Sequence, residues 1–212
     1  MELSEAIKKR RMVRSFSPES IPDELIDRLI SYARNAPSAG NTAGWAAIAL
    51  TDQHSMSLLW DAVTDTEWRA TSKRWEGLSK APAAIVMLAN PANYTSRYSM
   101  PDKSASGLGN PPHGGGEDSW PVPYWFVDAG SASMLIMLGA HEAGVGSLFL
   151  GNFRGEKRLK ETLGIPDSWR YTGTILLGYD DGNDYASQSV KNRRNNLVFH
   201  GRWQQENNKV QE

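Results

Sequence analysis

The amino-acid sequence predicts an α+β fold, and three observations carry that expectation. Short apolar runs of strand length alternate irregularly with segments of helical periodicity. One segment, from about residue 125 to 143, is apolar over much of a helix surface, as a central core helix would be. The resulting order is helix, helix, strand, helix, strand, irregular stretch, helix, strand, helix, strand, tail, which argues against a doubly wound sheet. At 212 residues, one domain spanning 1–212 is expected.

Taken in order, residues 4–9 read as a short helix with Ser4 as its N-cap and Leu3 and Ile7 on one face. Ile21-Pro22-Asp23-Glu24-Leu25 opens a second helix whose apolar positions Leu25, Ile26, Leu29, Ile30 and Ala33 keep helical spacing up to Asn35. Pro37 ends it and starts a loop through Asn41. Residues 45–50 and 83–88 are apolar runs suited to buried strands, with a partly exposed helical segment between them. Residues 91–123, rich in Gly, Pro and Ser, read as a long lid-like loop. The core helix follows and stops at Gly144. Residues 146–153 read as a strand, 156–163 as a helix ended by Gly164, and 172–179 as the last strand. From about residue 181 a tail without helical periodicity carries Lys191, Arg193, Arg194, Phe199 and Trp203, which suggests packing against a second subunit.

Composition narrows the chemistry. With no cysteine, disulfides, thiolate catalysis and cysteine-held metals are excluded. The four histidines have no metal-ligand spacing, so no metal site is expected. There is no Gly-x-Ser-x-Gly elbow, and the glycines at 144 and 146 follow a helix and open a strand, the reverse of a dinucleotide fingerprint. A net charge of −1 gives no reason to expect a nucleic-acid partner. No secretory signal or membrane-length apolar run is visible, so a cytoplasmic protein off the membrane is expected.

What remains is a two-part basic pattern. Arg10, Arg11 and Arg14 lie near one end of the chain, and Lys191 and Arg193 near the other. In an extended stretch residues two apart share a side, so Lys191 and Arg193 could close on one anion. The alternative is that Lys8 to Arg11 form a solvated charge run.

Several segments, in one order along nearly the whole chain, resemble the FMN-dependent nitroreductase family. Arg10-Arg11-Met12-Val13-Arg14-Ser15-Phe16 is similar to its opening Arg-Arg-Ser-x-Arg-x-Phe, and Ala36 to Asn41 followed by Trp45 is similar to its Ala-Pro-Ser-x-x-Asn-x-Gln-Pro-Trp. The entry to the core helix at Pro123-Tyr124-Trp125, the Gly144-Val145-Gly146-Ser147 strand start and Gly164-Ile165-Pro166 fall in matching places. The resemblance implies a three-layer fold with a mixed central sheet flanked by helices, an extended C-terminal tail, and a homodimer. It also implies hydride transfer from NADH or NADPH through flavin N5 to a flat, electron-poor acceptor such as a nitroaromatic or quinone, by a ping-pong mechanism.

By the same resemblance Arg10, Arg11, Met12 and Arg14 would hold FMN, with Lys191 and Arg193 completing its phosphate site. Pro37, Ser38, Ala39 and Asn41 would cover the ring from the second subunit. Leu150 and Gly151 sit where the family presents a backbone N–H to flavin N5, with Gly151 as the donor. Trp120 and Tyr124 are candidates for the substrate side of the pocket; the alternative is that they anchor the loop to the core. Pro37 could equally be a helix stop, Asn41 a turn residue and Gly151 a strand bulge. Two positions depart from the pattern: Ala43-Gly44 stands for Gln-Pro, and Met12 for Ser. These departures leave open a non-catalytic flavin-binding or storage protein, and an oxygen-using or dehalogenating relative is a further reading.

Overall fold

The computed structural model describes residues 2–152, 154–183 and 198–203. Four strands form one sheet: β1 (Trp45–Leu50), β2 (Ala83–Ala89), β3 (Gly146–Leu150) and β4 (Arg170–Gly178), in the order β1-β2-β4-β3. All three ladders are antiparallel. The expected mixed sheet is thus corrected: among the described residues the parallel component is an isolated bridge between Met12 and Ser147. Strand direction leaves no mark in local sequence, because a buried strand of either sense reads as an apolar run.

Side chains alternate across the sheet and feed two cores. Ala84, Val86, Leu88, Leu148 and Leu176 face α3 (Gln53–Val63), α5 (Trp75–Leu78) and α8 (Glu156–Thr162), packing on Leu59, Trp60, Leu78 and Leu159. Ala83, Ile85, Met87, Ile175 and Leu177 face the opposite way, against Ile26 and Leu29 of α2 (Asp23–Ala33) and Ala132, Ile136 and Ala140 of α7 (Tyr124–Glu142). Helices on both faces make the three layers. β2 is buried along its whole length, whereas β1 is an edge strand and only half-buried over most of its residues.

Local signals set the helix ends. Asp52 accepts from Ser55 N at 3.0 Å while Ser55 Oγ accepts from Asp52 N at 3.3 Å, a reciprocal cap that starts α3. Asp23 and Glu24 oppose the dipole at the start of α2. Gly144 (φ +77°) takes the left-handed conformation that ends α7. The first helix, α1 (Leu3–Lys9), starts one residue before Ser4, so Ser4 is inside it and not its cap. Leu3 and Ile7 are exposed, at 66% and 59%.

Residues 91–123 are not one continuous loop. They begin with α6 (Pro91–Tyr98) and include 3-10 turns at Ser104–Ser106 and Gly116–Ser119. Asn90 caps α6 by accepting from Ala92 N at 3.0 Å, and Pro91 occupies the first helical position, where its missing N–H costs nothing. Tyr94 and Thr95 are buried beneath it. The first strand after α7 ends at Leu150 and not at 153; Phe153 lies outside the described residues.

Candidate functional site

β3 is the exposed end of the strand order, and the N-terminal basic segment covers that edge. Val13 N donates to Ser147 O at 3.0 Å, Met12 bridges Ser147, and Phe149 N donates to Met12 Sδ at 3.5 Å. Further on, Phe16 N donates to Gly77 O at 3.2 Å and Ser17 N to Tyr179 O at 2.8 Å. These bonds give an edge strand the partner it lacks. They also run Arg10 to Arg14 alongside the strand that ends at Leu150, directly before Gly151. Four residues of the N-terminal motif and the Leu150-Gly151 pair are therefore brought together, although more than 130 positions separate them in sequence.

Met12 organises its neighbours. Arg10 Nη1 contacts Met12 Sδ at 3.7 Å, and Arg14 Nη1 donates to Met12 O at 3.0 Å. The thioether therefore holds an arginine and a strand amide, in a place where the resembled motif has a hydroxyl. Arg11 forms an ion pair with Asp180.

Two hollows flank this segment. One, of about 270 Å³, is lined by Lys9, Arg10, Arg11, His141 and Ser147 among others. Ser147 is only 1% exposed, and its Oγ and the buried His141 Nε2 have no hydrogen-bond partner among the described residues. The other, of about 380 Å³, gathers Arg14, Lys73, Arg74 and Lys80 with Glu76 and Asp181. Asp181 accepts from Asn183 N and from Ser15 Oγ, each at 2.8 Å, and the Asn183 backbone bond is the main cause holding its carboxyl below the usual carboxylate value. Sequence reasoning missed Lys73, Arg74, Lys80 and His141 as site residues and met Ser147 only as part of a strand-start motif. The Lys73-Arg74 pair was the one visible signal; nothing local marks the others.

At the end of β3, Tyr171 OH donates to Leu150 O at 3.1 Å and lies 2.9 Å from Thr174 Oγ1. Burial pushes the Tyr171 phenol up to about 12, so it stays a neutral donor fixing the strand end.

The 37–41 loop lies elsewhere. It runs into β1, at the opposite edge of the sheet, three strand spacings or roughly 14 Å from β3. Its hold is firm. Ala39 N donates to Asp128 Oδ2 at 2.9 Å, Tyr94 OH donates to the same oxygen at 2.8 Å, and Arg97 Nε donates to Gly40 O at 2.9 Å. Ser38 Oγ accepts from Ala43 N at 2.7 Å. Burial, then the hydrogen bond to Asp128, raises the Tyr94 phenol well above its usual value. Asn41 (φ +55°) and Ala43 (φ +47°) both take left-handed backbone. Gly44 stands where the resembled motif has proline because a Cβ there would meet the Tyr94 ring at 2.4 Å. Pro37, Ser38, Ala39 and Asn41 thus do not join Arg10–Arg14 within one chain.

Trp120 is 8% exposed, donates Nε1 to Leu108 O at 2.9 Å and packs edge-on to Tyr94, Tyr98, Tyr124 and Trp125. It sits as an anchor of the 99–123 segment, while Tyr124 is exposed. Lys191 and Arg193 lie outside the described residues. Among the described residues no group of three or more metal-binding side chains exists, and no helix is long and apolar enough to cross a membrane.

Comparison with known proteins agrees with this architecture. The profile of the Nitroreductase family matches residues 7–179. A protein of Archaeoglobus fulgidus, provisionally named an NADH dehydrogenase/NAD(P)H nitroreductase, is 30% identical over 181 residues, covering 84% of this chain and 85% of that protein. Iodotyrosine deiodinase 1 of Rattus norvegicus is 31% identical over 78 residues, covering 35% of this chain and 27% of that protein. Among solved structures, an FMN complex from Exiguobacterium sibiricum, provisionally named a nitroreductase, superposes with a TM-score of 0.66 at 17% identity, covering 88% of this chain and 92% of that one.

Proposed function

Because the chain belongs to the nitroreductase family, we propose that it is a homodimeric FMN oxidoreductase that moves hydride from NADH or NADPH to a flat, electron-poor acceptor, a nitroaromatic or quinone. The observation that carries this reading is the Arg10–Arg14 segment zippered along β3 beside Leu150 and Gly151. Arg10, Arg11, Met12 and Arg14 with Leu150 and Gly151 would hold FMN there, and the chemistry the cofactor would supply is hydride exchange between the nicotinamide and the acceptor.

The residues present fit that cofactor. Arg10 lines one hollow beside the Arg11–Asp180 ion pair, with Lys9 paired to Glu5 at its edge, and the Arg10 guanidinium is the group that would meet a phosphate monoester there. Lys191 and Arg193 would complete that site. Arg14, with Arg74 nearby, would face the polar edge of the ring system. Gly151, directly after β3, would present its backbone N–H to N5. No side-chain acid or base is needed beyond this placement; the net reaction with a quinone consumes NAD(P)H and one proton and yields NAD(P)+ and the hydroquinone.

Pro37, Ser38, Ala39 and Asn41 would close over the ring of a partner's site, since they lie at the far edge of their own sheet. A partner would also cover Phe126, Val127 and Met134 of α7, which are exposed and apolar. The test is steady-state NAD(P)H oxidation by the yellow protein with and without 1,4-naphthoquinone or a nitroaromatic. Acceptor-dependent turnover with parallel double-reciprocal lines supports the reading; tight FMN without reduction by NAD(P)H refutes it. The 78-residue similarity to iodotyrosine deiodinase favours a second reading, reductive dehalogenation, which release of halide from a halophenol under the same conditions would establish.

A further inference from the structure

The 37–41 loop does not hold its own shape. Gly40, Asn41 and Ala43 take left-handed backbone (φ +63°, +55° and +47°), and a residue other than glycine keeps that conformation only where its surroundings impose it. The imposing element is α6, with Asn90 at its cap and Tyr94, Arg97 and Tyr98 at helical spacing. Asn90 N donates to Gly44 O at 2.8 Å, and Tyr94 OH shares Asp128 Oδ2 with Ala39 N. A Cβ on Gly44 would collide with the Tyr94 ring, and one on Gly40 would come within 2.7 Å of the Tyr98 ring, so the loop backbone lies directly on α6.

Arg97 differs from its neighbours on α6 in reaching past the loop. Its Nε donates to Gly40 O at 2.9 Å, while Nη1 and Nη2 donate to the two carboxylate oxygens of Asp102 at 2.8 and 2.7 Å. The guanidinium is planar, so with its fork seated on Asp102 the Nε–H has one direction left to it. Asp102 lies past the end of α6, in the 99–123 segment, and its place therefore fixes where Gly40 sits. The two side chains are 23% and 60% exposed, and an ion pair at the surface adds little to global stability. A three-pronged contact that stabilises the fold little, yet ties two segments to one geometry, is suited to setting the position of a loop.

We propose that Arg97 is a positioning residue for the flavin site: anchored on Asp102, it sets how closely the 37–41 loop approaches the ring held by the partner subunit. This rests on the reading above that the loop covers a partner's ring. It assigns a role to a residue of α6 that stands outside both the basic segment and the loop itself. Because the loop meets the ring and not the phosphate, Arg97 acts alike on FMN and on riboflavin, whereas a phosphate contact separates the two. Lysine cannot replace it, since a single ammonium does not span Gly40 O and both oxygens of Asp102.

The experiment is equilibrium dialysis of the full chain, freed of flavin, against FMN and against riboflavin, with urea midpoints and sedimentation measured on the same preparations. Arg97→Lys should weaken both flavins alike by about tenfold, as loss of one hydrogen bond to a charged group implies, with the urea midpoint and the dimer unchanged. Asp102→Asn, which leaves Arg97 in place, should weaken both by about threefold, in the range of an exposed pair. The double variant should bind no more weakly than Arg97→Lys, because Asp102 acts only through Arg97. Unchanged affinities, a loss confined to FMN, or a loss that comes with a lower urea midpoint or with dissociation into monomers overturns the assignment. A wild type that binds both flavins while Arg97→Lys binds them equally well overturns the role of Arg97 alone and leaves the flavin reading standing. A wild type that binds neither overturns the flavin reading and this role with it.

Discussion

Ala43 holds a left-handed backbone that only glycine adopts without penalty, in the loop assigned to a partner's flavin. Removing the Cβ clash is worth roughly 1–2 kcal/mol, against roughly 0.4–1 kcal/mol of added chain entropy in the unfolded state. Ala43→Gly should therefore raise stability by about 0.5–1 kcal/mol, read as a higher midpoint in urea; an unchanged or lower midpoint would show that the loop relaxes elsewhere. Tyr171 gives a pH prediction. Burial raises its phenol to about 12 in the folded chain, above the usual tyrosine value of 10.0. The folded state therefore favours the protonated form, so this contribution is complete below pH 10 and is lost as pH rises toward 12. Unfolding midpoints should fall over that window, and Tyr171→Phe should flatten the fall; an identical profile in the variant would remove Tyr171 as the cause. Met12 shows what a single substitution does in context: its sulfur touches both Arg10 and Phe149 N, so the departure from serine places a different contact beside the proposed cofactor.

Among the elements, α2, β2, α7 and β4 were legible because their burial is periodic and local. Ile26, Leu29 and Ala33 mark one face of α2, and β2 is buried on both faces as an apolar run should be. α6 was not legible. Its stabilising features are a cap at Asn90, a proline in the first turn and one buried tyrosine, none of which makes a hydrophobic period. The same limit applied to the site. Arg10, Arg11 and Arg14 stand in a recognisable motif, whereas His141 and Lys80 reach it only through long-range packing. Trp120 tests the element scale. It closes the 99–123 segment on itself through Leu108 O and ties it to α6 and α7 through four aromatic neighbours, so Trp120→Ala should cost about 3–5 kcal/mol of stability. A melting temperature within a degree or two of wild type would mean that the segment is held by other contacts.

For the whole molecule, the antiparallel sheet separates two half-sites: the basic segment on β3 and the Asp128-tethered loop beside β1 lie at opposite edges. The proposed dimer would bring one chain's loop over the other's basic segment. The central claim is that this segment binds FMN through its phosphate, and comparing FMN with riboflavin in Arg10→Ala tests it most directly. Loss of one charge-assisted contact should weaken FMN by roughly 1.5–3 kcal/mol, about 10- to 150-fold, while riboflavin affinity stays within about threefold of wild type. Equal losses for FMN and riboflavin, or FMN affinity unchanged in the variant, would contradict it.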